Sequence, residues 1–327
     1  MPANLPPQYY EAEKRLRTAK DPAERIEILE ELLAIMPKHK GTDHLRAELR
    51  AKIAKLTQSL GKKAAIHRTK MMIPKEGAAQ IAVIGPPNAG KSQLVCSITN
   101  ASPAVADYPF TTKSATPGMM EFENVKIQLI DTPPIAPQSY EFWLPHMLRK
   151  ADALLIVVDL GNAPVAQMET IMAQLKAMRI GIGADTTPEE GILSQKKALL
   201  VGNKLDLPNA KENYAALQSK YEAQLPIIAI SAKAAKEGVG LEELKLKIYQ
   251  LLNIIRVYTK APGEKPVFTD PVILQKGSTL EDAAAEVHKD FAAKLKYARL
   301  WGSGKHDGIM VKRDHVLQDG DIIELHR

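Results

Sequence analysis

The chain has 327 residues, 45% of them apolar and 25% charged, with a net charge of +6. That is the balance of a soluble globular protein of about two domains, long enough to bury a sizeable core without disulfide or metal support. The single cysteine, Cys96, excludes an internal disulfide and a cysteine zinc cluster and fits a reducing, cytoplasmic setting; no apolar run reaches the ~18 residues of a membrane span, and the start lacks the apolar core of a secretory signal.

Residues 1–73 read as helical and basic. Asp21-Pro22 resembles an N-cap followed by proline at the first helical position. Ile26, Leu29 and Leu33 recur at helical spacing, and Met36-Pro37 closes that helix. Thr42 or Asp43 can cap a second helix, whose stripe is Leu45, Leu49, Ile53, Leu56 and Leu60. Joined by the turn Pro37-Lys38-His39-Lys40-Gly41, the two can pack as a hairpin. From Lys38 to Lys70 there are ten Lys or Arg against two acids, so the rest of the chain is slightly acidic. Such a field suits a polyanion such as RNA or the ribosome; a solvated helical face is the bland alternative.

Residues 78–253 alternate short apolar strands with helical stretches, the pattern of an α/β fold with a mostly parallel sheet covered on both faces. The strands are QIAVIG, VKIQLID, ALLIVVDL, ALLVGNK and PIIAIS, and helices begin at Lys91, Ser139, Pro164, Lys211 and Leu241. Gly181–Gln195 reads as a long loop. Residues 254–327 hold IIRVYT, VIL, a helix over about Thr279–Phe291, KYARLWG and DIIELHR. This order fits a small α+β grasp domain. Cys96, in QLVCSIT, reads as a core residue, and Trp143 and Trp301 as packing residues; Trp301, near Lys296, Arg299 and Lys305, is also a candidate RNA contact.

Gly85-Pro86-Pro87-Asn88-Ala89-Gly90-Lys91-Ser92, with the adjoining Gln93, matches the P-loop pattern between a strand and a helix. Its glycines let backbone N–H groups converge on phosphate oxygens, and the helix start adds partial positive charge. Lys91 should bridge the β- and γ-phosphates, Ser92 should ligate Mg²⁺, and Asp131, ending VKIQLID, can hold a magnesium-bound water. Downstream, Asn203-Lys204-Leu205-Asp206 and Ser231-Ala232-Lys233 each follow a strand. An NKxD followed by SAK is a guanine-recognition set. Asp206 can accept from N1–H and the 2-amino group, donors that adenine lacks, so base discrimination should be large. Asn203 is expected to support its loop and N7, Lys204 to lie over the base, and the Ala232 N–H to meet O6.

On these motifs the chain resembles the Obg superfamily of GTPases, in the developmentally regulated GTP-binding (DRG) branch. GPPNAGKS resembles that superfamily's phosphate loop, and Ala106-Asp107-Tyr108-Pro109-Phe110-Thr111-Thr112 its first switch. IRVYTKAPGEKPVFTDPVIL, VHKDF, KYARLWG and DHVLQDGDIIEL resemble a TGS domain, and PKHKGTDHLRAELRAKIAKL the helical start of the DRG branch. The resemblance implies a Ras-like P-loop fold with a C-terminal β-grasp TGS domain. It also implies a GTP-hydrolysing switch acting on the ribosome or RNA, in which Thr112 rather than Thr111 closes on Mg²⁺ and the γ-phosphate. Asn88 would ligate K⁺, the ion then supplying the charge of an arginine finger.

Two positions depart from the family pattern. The second switch reads Asp131-Thr132-Pro133-Pro134, where the family has glycine in place of Pro134; proline has no N–H to give the γ-phosphate. Ile135 follows, where Ras-like proteins carry a water-orienting glutamine, so hydrolysis should be slow without a partner or K⁺. The stretch Pro133–Asp159 is too short for the extra domain of eukaryotic DRG proteins, which implies a bacterial or archaeal relative. The alternatives are a GTP-dependent binding module with negligible hydrolysis and a sensor of guanine nucleotides.

Overall fold

The computed structural model describes residues 6–19, 22–37, 42–59, 73–99, 115–136, 143–183, 191–232, 239–288, 295–304 and 306–326. Helices α1 (Pro7–Thr18), α2 (Pro22–Ile35) and α3 (Asp43–Ser59) pack around Tyr9, Ala12, Ile28, Leu29, Leu32, Met36 and Leu49. The expected hairpin is α2 on α3, and α1 joins it as a helix the spacing did not reveal. Arg46, one of the cations counted in the basic stretch, donates through Nη1 to the carbonyls of Leu33 (3.2 Å) and Met36 (2.9 Å). It satisfies the orphaned carbonyls at the end of α2. Arg50, Lys52 and Lys55 remain exposed, with Lys52 paired to Glu48 at 2.7 Å. Lys38, Lys40, Lys62, Lys63, Arg68 and Lys70 lie outside the described residues.

A seven-stranded sheet follows, with the order β2-β3-β1-β4-β6-β5 and β7 beside β6. Its strands are β1 (Ala79–Ile84), β2 (Thr116–Phe122), β3 (Val125–Asp131), β4 (Ala153–Asp159), β5 (Ile180–Ile182), β6 (Ser194–Asn203) and β7 (Ile227–Ala229). Every pairing is parallel except β2 with β3. Successive residues of β4 serve opposite faces, which explains its unbroken apolar run. Ala153, Leu155 and Val157 meet α4 (Lys91–Ile98) and α8 (Leu241–Leu252), while Leu154, Ile156 and Val158 meet α5 (Leu144–Lys150), α6 (Pro164–Ala177) and α7 (Ala210–Tyr221).

The reading of Gly181–Gln195 as a loop is corrected. Ile180–Ile182 and Ser194–Lys196 are a parallel edge pair, with 184–190 outside the described residues. The edge strand β5 is only three residues long, Ile-Gly-Ile, and its partner segment at the start of β6 is polar, so neither shows a strand pattern in the hydropathy. The helix expected from Ser139 begins at Leu144 with Pro145 in its first turn. Cys96 is exposed, not core. On α4 the buried face is Leu94, Val95 and Ile98, and a rotation of ~100° per residue carries position 96 away from it.

The third region is a five-stranded sheet, β11-β10-β12-β8-β9, packed on α9 (Leu280–Val287). Its strands are β8 (Ile254–Thr259), β9 (Val272–Gln275), β10 (Tyr297–Trp301), β11 (Ile309–Val311) and β12 (Ile322–His326). A capping box between Thr279 and Asp282 starts α9, which ends four residues before the expected Phe291. This sheet meets the β2–β3 turn: Asn124 Nδ2 donates to Tyr258 Oη at 2.7 Å, and Arg256 pairs with Glu123 and with Asp319 (2.7 Å). The helical region meets the first sheet through Arg179, whose Nη1 lies 2.7 Å from Glu31 Oε1. Trp143 packs against the core, and the Trp301 ring carries the Lys260 ammonium 4.3 Å from its centroid. No helix among the described residues is long and apolar enough to cross a membrane.

Candidate nucleotide site

The candidate residues gather at the C-terminal edge of the parallel sheet, where open α/β sheets bind ligands. Gly85 follows β1 and Gly90 precedes α4. A Cβ at Gly85 would lie 2.2 Å from the Val157 carbonyl oxygen, so only glycine lets the loop leave the sheet there. Gly90 has a φ of +87°, and a Cβ would lie 2.4 Å from Asn203 Nδ2. Asn88 also has a positive φ, 61°.

Lys91 is buried and folds back over the loop, donating to the carbonyls of Gly85 (3.2 Å) and Pro86 (3.0 Å). Burial lowers its pKa, and the nearby Asp131 carboxylate opposes that shift. The parallel register of β1 and β3 sets Val83 against Asp131, which brings Asp131 beside the loop. Ser92 Oγ donates to Asp131 Oδ2 at 2.5 Å. Burial raises the Asp131 pKa; the Ser92 hydrogen bond and Lys91 pull it down. Asp131 Oδ1 is buried and, among the described residues, has no hydrogen-bond partner. A buried, unsatisfied carboxylate oxygen beside a serine hydroxyl fits a hard cation that keeps several waters, as Mg²⁺ does. Thr132 Oγ1 donates to the Val83 carbonyl at 2.8 Å. Pro134 is exposed, whereas Ile135 is buried and donates its N–H to the Gly85 carbonyl at 3.0 Å.

At the other end, Asn203 is 1% exposed and ties three segments together. Its Nδ2 donates to the Ala89 carbonyl (2.9 Å), and its Oδ1 accepts from the N–H groups of Lys204 (2.8 Å) and Ala232 (3.1 Å). The Ala232 N–H, expected to meet O6, thus donates to the Asn203 side chain here. Asp206 Oδ1 accepts from Ser231 Oγ at 2.6 Å. Lys204 Nζ lies 2.6 Å from Asp159 Oδ2, a carboxylate that no motif marks. The structure thus brings together Gly85–Gln93, Asp131, Asn203, Lys204, Asp206, Ser231 and Ala232. Thr112, with the rest of 106–112, and Lys233 lie outside the described residues.

A P-loop bedded on a parallel sheet, with NKLD at the end of β6, two strands from β1, defines the class as a P-loop GTPase. Residues 80–204 match the 50S ribosome-binding GTPase family and residues 255–327 the TGS domain. The chain is 31% identical to the GTP-binding protein MJ1326 of Methanocaldococcus jannaschii, over 92% of each chain. It is 25% identical to Ribosome-interacting GTPase 1 of Saccharomyces cerevisiae, over 92% of this chain and 98% of that one. Other relatives are named developmentally regulated GTP-binding proteins. The YchF GTPase of Schizosaccharomyces pombe shares the fold, with a TM-score of 0.53 and 15% identity over 77% of this chain and 99% of that one. The chain belongs to the Obg superfamily of GTPases, among its members that carry a TGS domain.

Proposed function

We propose that this chain is a GTP-binding and GTP-hydrolysing switch that acts on the ribosome or RNA, in translation or ribosome assembly. One observation carries the reading: a buried P-loop lysine, a carboxylate with an orphaned oxygen and an NKLD loop converge on one sheet edge. In this reading residues 85–93 cradle the phosphates, with Lys91 on the β- and γ-oxygens. Ser92 and Asp131 hold Mg²⁺, joined by Thr112 in the GTP state. Asp206 reads guanine, supported by Asn203, Lys204, Ser231, Ala232 and Lys233. Mg²⁺ supplies charge neutralisation between the phosphates; P-loop GTPases generally use it.

The work divides among residues 1–73 (helical, basic), 78–253 (GTPase) and 254–327 (TGS). Buried Ile135 cannot orient water and Pro134 gives no N–H, so hydrolysis is slow unaided. K⁺ at Asn88 would speed it. Turnover in KCl above that in NaCl supports the ion's role, and equal rates contradict it. RNA as partner rests on the exposed cations of α3 and on a relative named for interacting with ribosomes; such work places the protein in the cytoplasm. Ribosome pelleting with a non-hydrolysable GTP analogue and with GDP tests the reading. Co-sedimentation favoured by the GTP analogue supports it, and absence from the pellet in both states contradicts it. Pro134 favours one alternative, a binding module with negligible hydrolysis; single-turnover assays with ribosomes and KCl then give no phosphate.

A further inference from the structure

Asp159 and Asn203 end neighbouring strands and are register partners across the parallel ladder of β4 and β6. The chain after Asn203 turns at Lys204, whose φ is +67°. Its ammonium reaches back to Asp159 Oδ2 at 2.6 Å, while Asp159 Oδ1 accepts from the Gly161 N–H at 2.8 Å. Gln167, on α6, fixes the backbone of Asp159 from behind: its Oε1 accepts from the Asp159 N–H (2.9 Å) and its Nε2 donates to the Asp159 carbonyl (3.1 Å). A Cβ at Gly161 would lie 2.6 Å from Leu207 Cδ1 and 3.2 Å from Asp159 Oδ1. The segment after β4 and the NKLD loop are therefore packed edge to edge, and glycine permits the approach. The Asp159 carboxylate is only 16% exposed and the Lys204 side chain 33% exposed.

A long lysine side chain loses considerable rotamer freedom when it is fixed. Holding its ammonium before a ligand arrives removes much of that cost from binding. The anchored charge also turns the four methylenes of the stem into the exposed feature beside the NKLD loop. We infer that Asp159 is a positioning residue of the guanine pocket: it pins the Lys204 ammonium so that the aliphatic stem forms a fixed apolar shelf for the purine ring. The inference rests on the guanine-site reading above and adds to it a residue from a different strand. Asp159 acts only through Lys204 in this scheme, and the shelf is indifferent to the 2-amino group that Asp206 reads.

The test is calorimetry on the full chain with GDP and with inosine diphosphate. In Asp159→Asn the amide retains an oxygen for Gly161 but turns a donor toward Lys204. Affinity for GDP should fall about tenfold, and that for inosine diphosphate by the same factor. In a Lys204→Met background, which keeps an apolar stem without the ammonium, adding Asp159→Asn should change affinity less than about twofold. Unchanged GDP affinity in Asp159→Asn overturns the inference, as does a tenfold loss that persists with Lys204→Met. A loss confined to GDP overturns it too, since that would place Asp159 in reading the 2-amino group. GDP and ADP titrated into the unaltered protein separate the two levels. If GDP is not preferred, the guanine reading and this inference both fall; if it is preferred and Asp159→Asn is silent, only this inference falls.

Discussion

The two ends of the nucleotide site are built in different ways. At the base end the side chains already hold one another: Asn203 bridges Ala89, Lys204 and Ala232, Ser231 caps Asp206, and Asp159 holds Lys204. At the phosphate end the functional groups are occupied by stand-ins. Lys91 donates to loop carbonyls and Ser92 to Asp131, while Asp131 Oδ1 has no hydrogen-bond partner among the described residues. In the proposed reading the base end is largely preorganised, with only the Ala232 N–H to release from Asn203, so its residues act chiefly on affinity and selectivity. In the proposed reading the phosphate end exchanges internal contacts for phosphate and Mg²⁺, so its residues act on chemistry.

The largest expected effect breaks the phosphate end. Lys91→Ala should lower single-turnover hydrolysis at least about 10³-fold, because a preorganised charge is lost where charge builds in the transition state. Asp206→Asn sharpens the contrast at the base end. It should weaken GDP binding about 10²-fold and favour xanthosine diphosphate, whose 2-carbonyl can accept from the new amide. Competition calorimetry checks both the loss and the reversal.

Smaller effects probe the helical region and the buried carboxylate of Asp131. Replacing exposed Arg50, Lys52 and Lys55 by glutamine should flatten the log–log salt dependence of RNA binding by about 2, measured by filter binding at several KCl concentrations. Arg46→Gln should instead lower thermal stability, since Arg46 caps α2. Asp131→Asn should raise the melting temperature of the nucleotide-free protein by about 2–4 °C at neutral pH while abolishing Mg²⁺-dependent nucleotide binding. Burial raises the Asp131 pKa, so the folded state holds that proton more tightly than the unfolded chain. Wild-type stability therefore declines as pH rises from the ordinary carboxylate range through the raised value, and the advantage of Asp131→Asn vanishes below that range. Scanning calorimetry across acidic pH reads the difference directly.

Both ends of this contrast are legible in the sequence except for Asp159 at the base end. The loop and the NKLD segment are local patterns whose chemistry depends on spacing along the chain. Asp159 is an aspartate ending an apolar strand, and its meeting with Lys204 exists only through the register of β4 against β6. The same distinction runs through the fold. The buried strands β1, β3 and β4 stand out because both faces of the sheet are covered. The strand β2, TPGMMEF, is hidden by its proline and glycine; it lies at a half-buried edge and forms by pairing with β3. Helix α1 has low hydrophobicity and gains its place from burial of Tyr9 and Ala12 against α2 and α3. The three-residue β11 is too short to show a period of two.

Selective capture of a guanine nucleotide by the chain is the claim on which the rest depends, and titration calorimetry of the full-length protein with GDP and ADP in Mg²⁺ buffer measures it directly. The account predicts that GDP binds at least about 10²-fold more tightly than ADP, because only guanine offers Asp206 two donors. Equal affinities, or no binding of either, would contradict it.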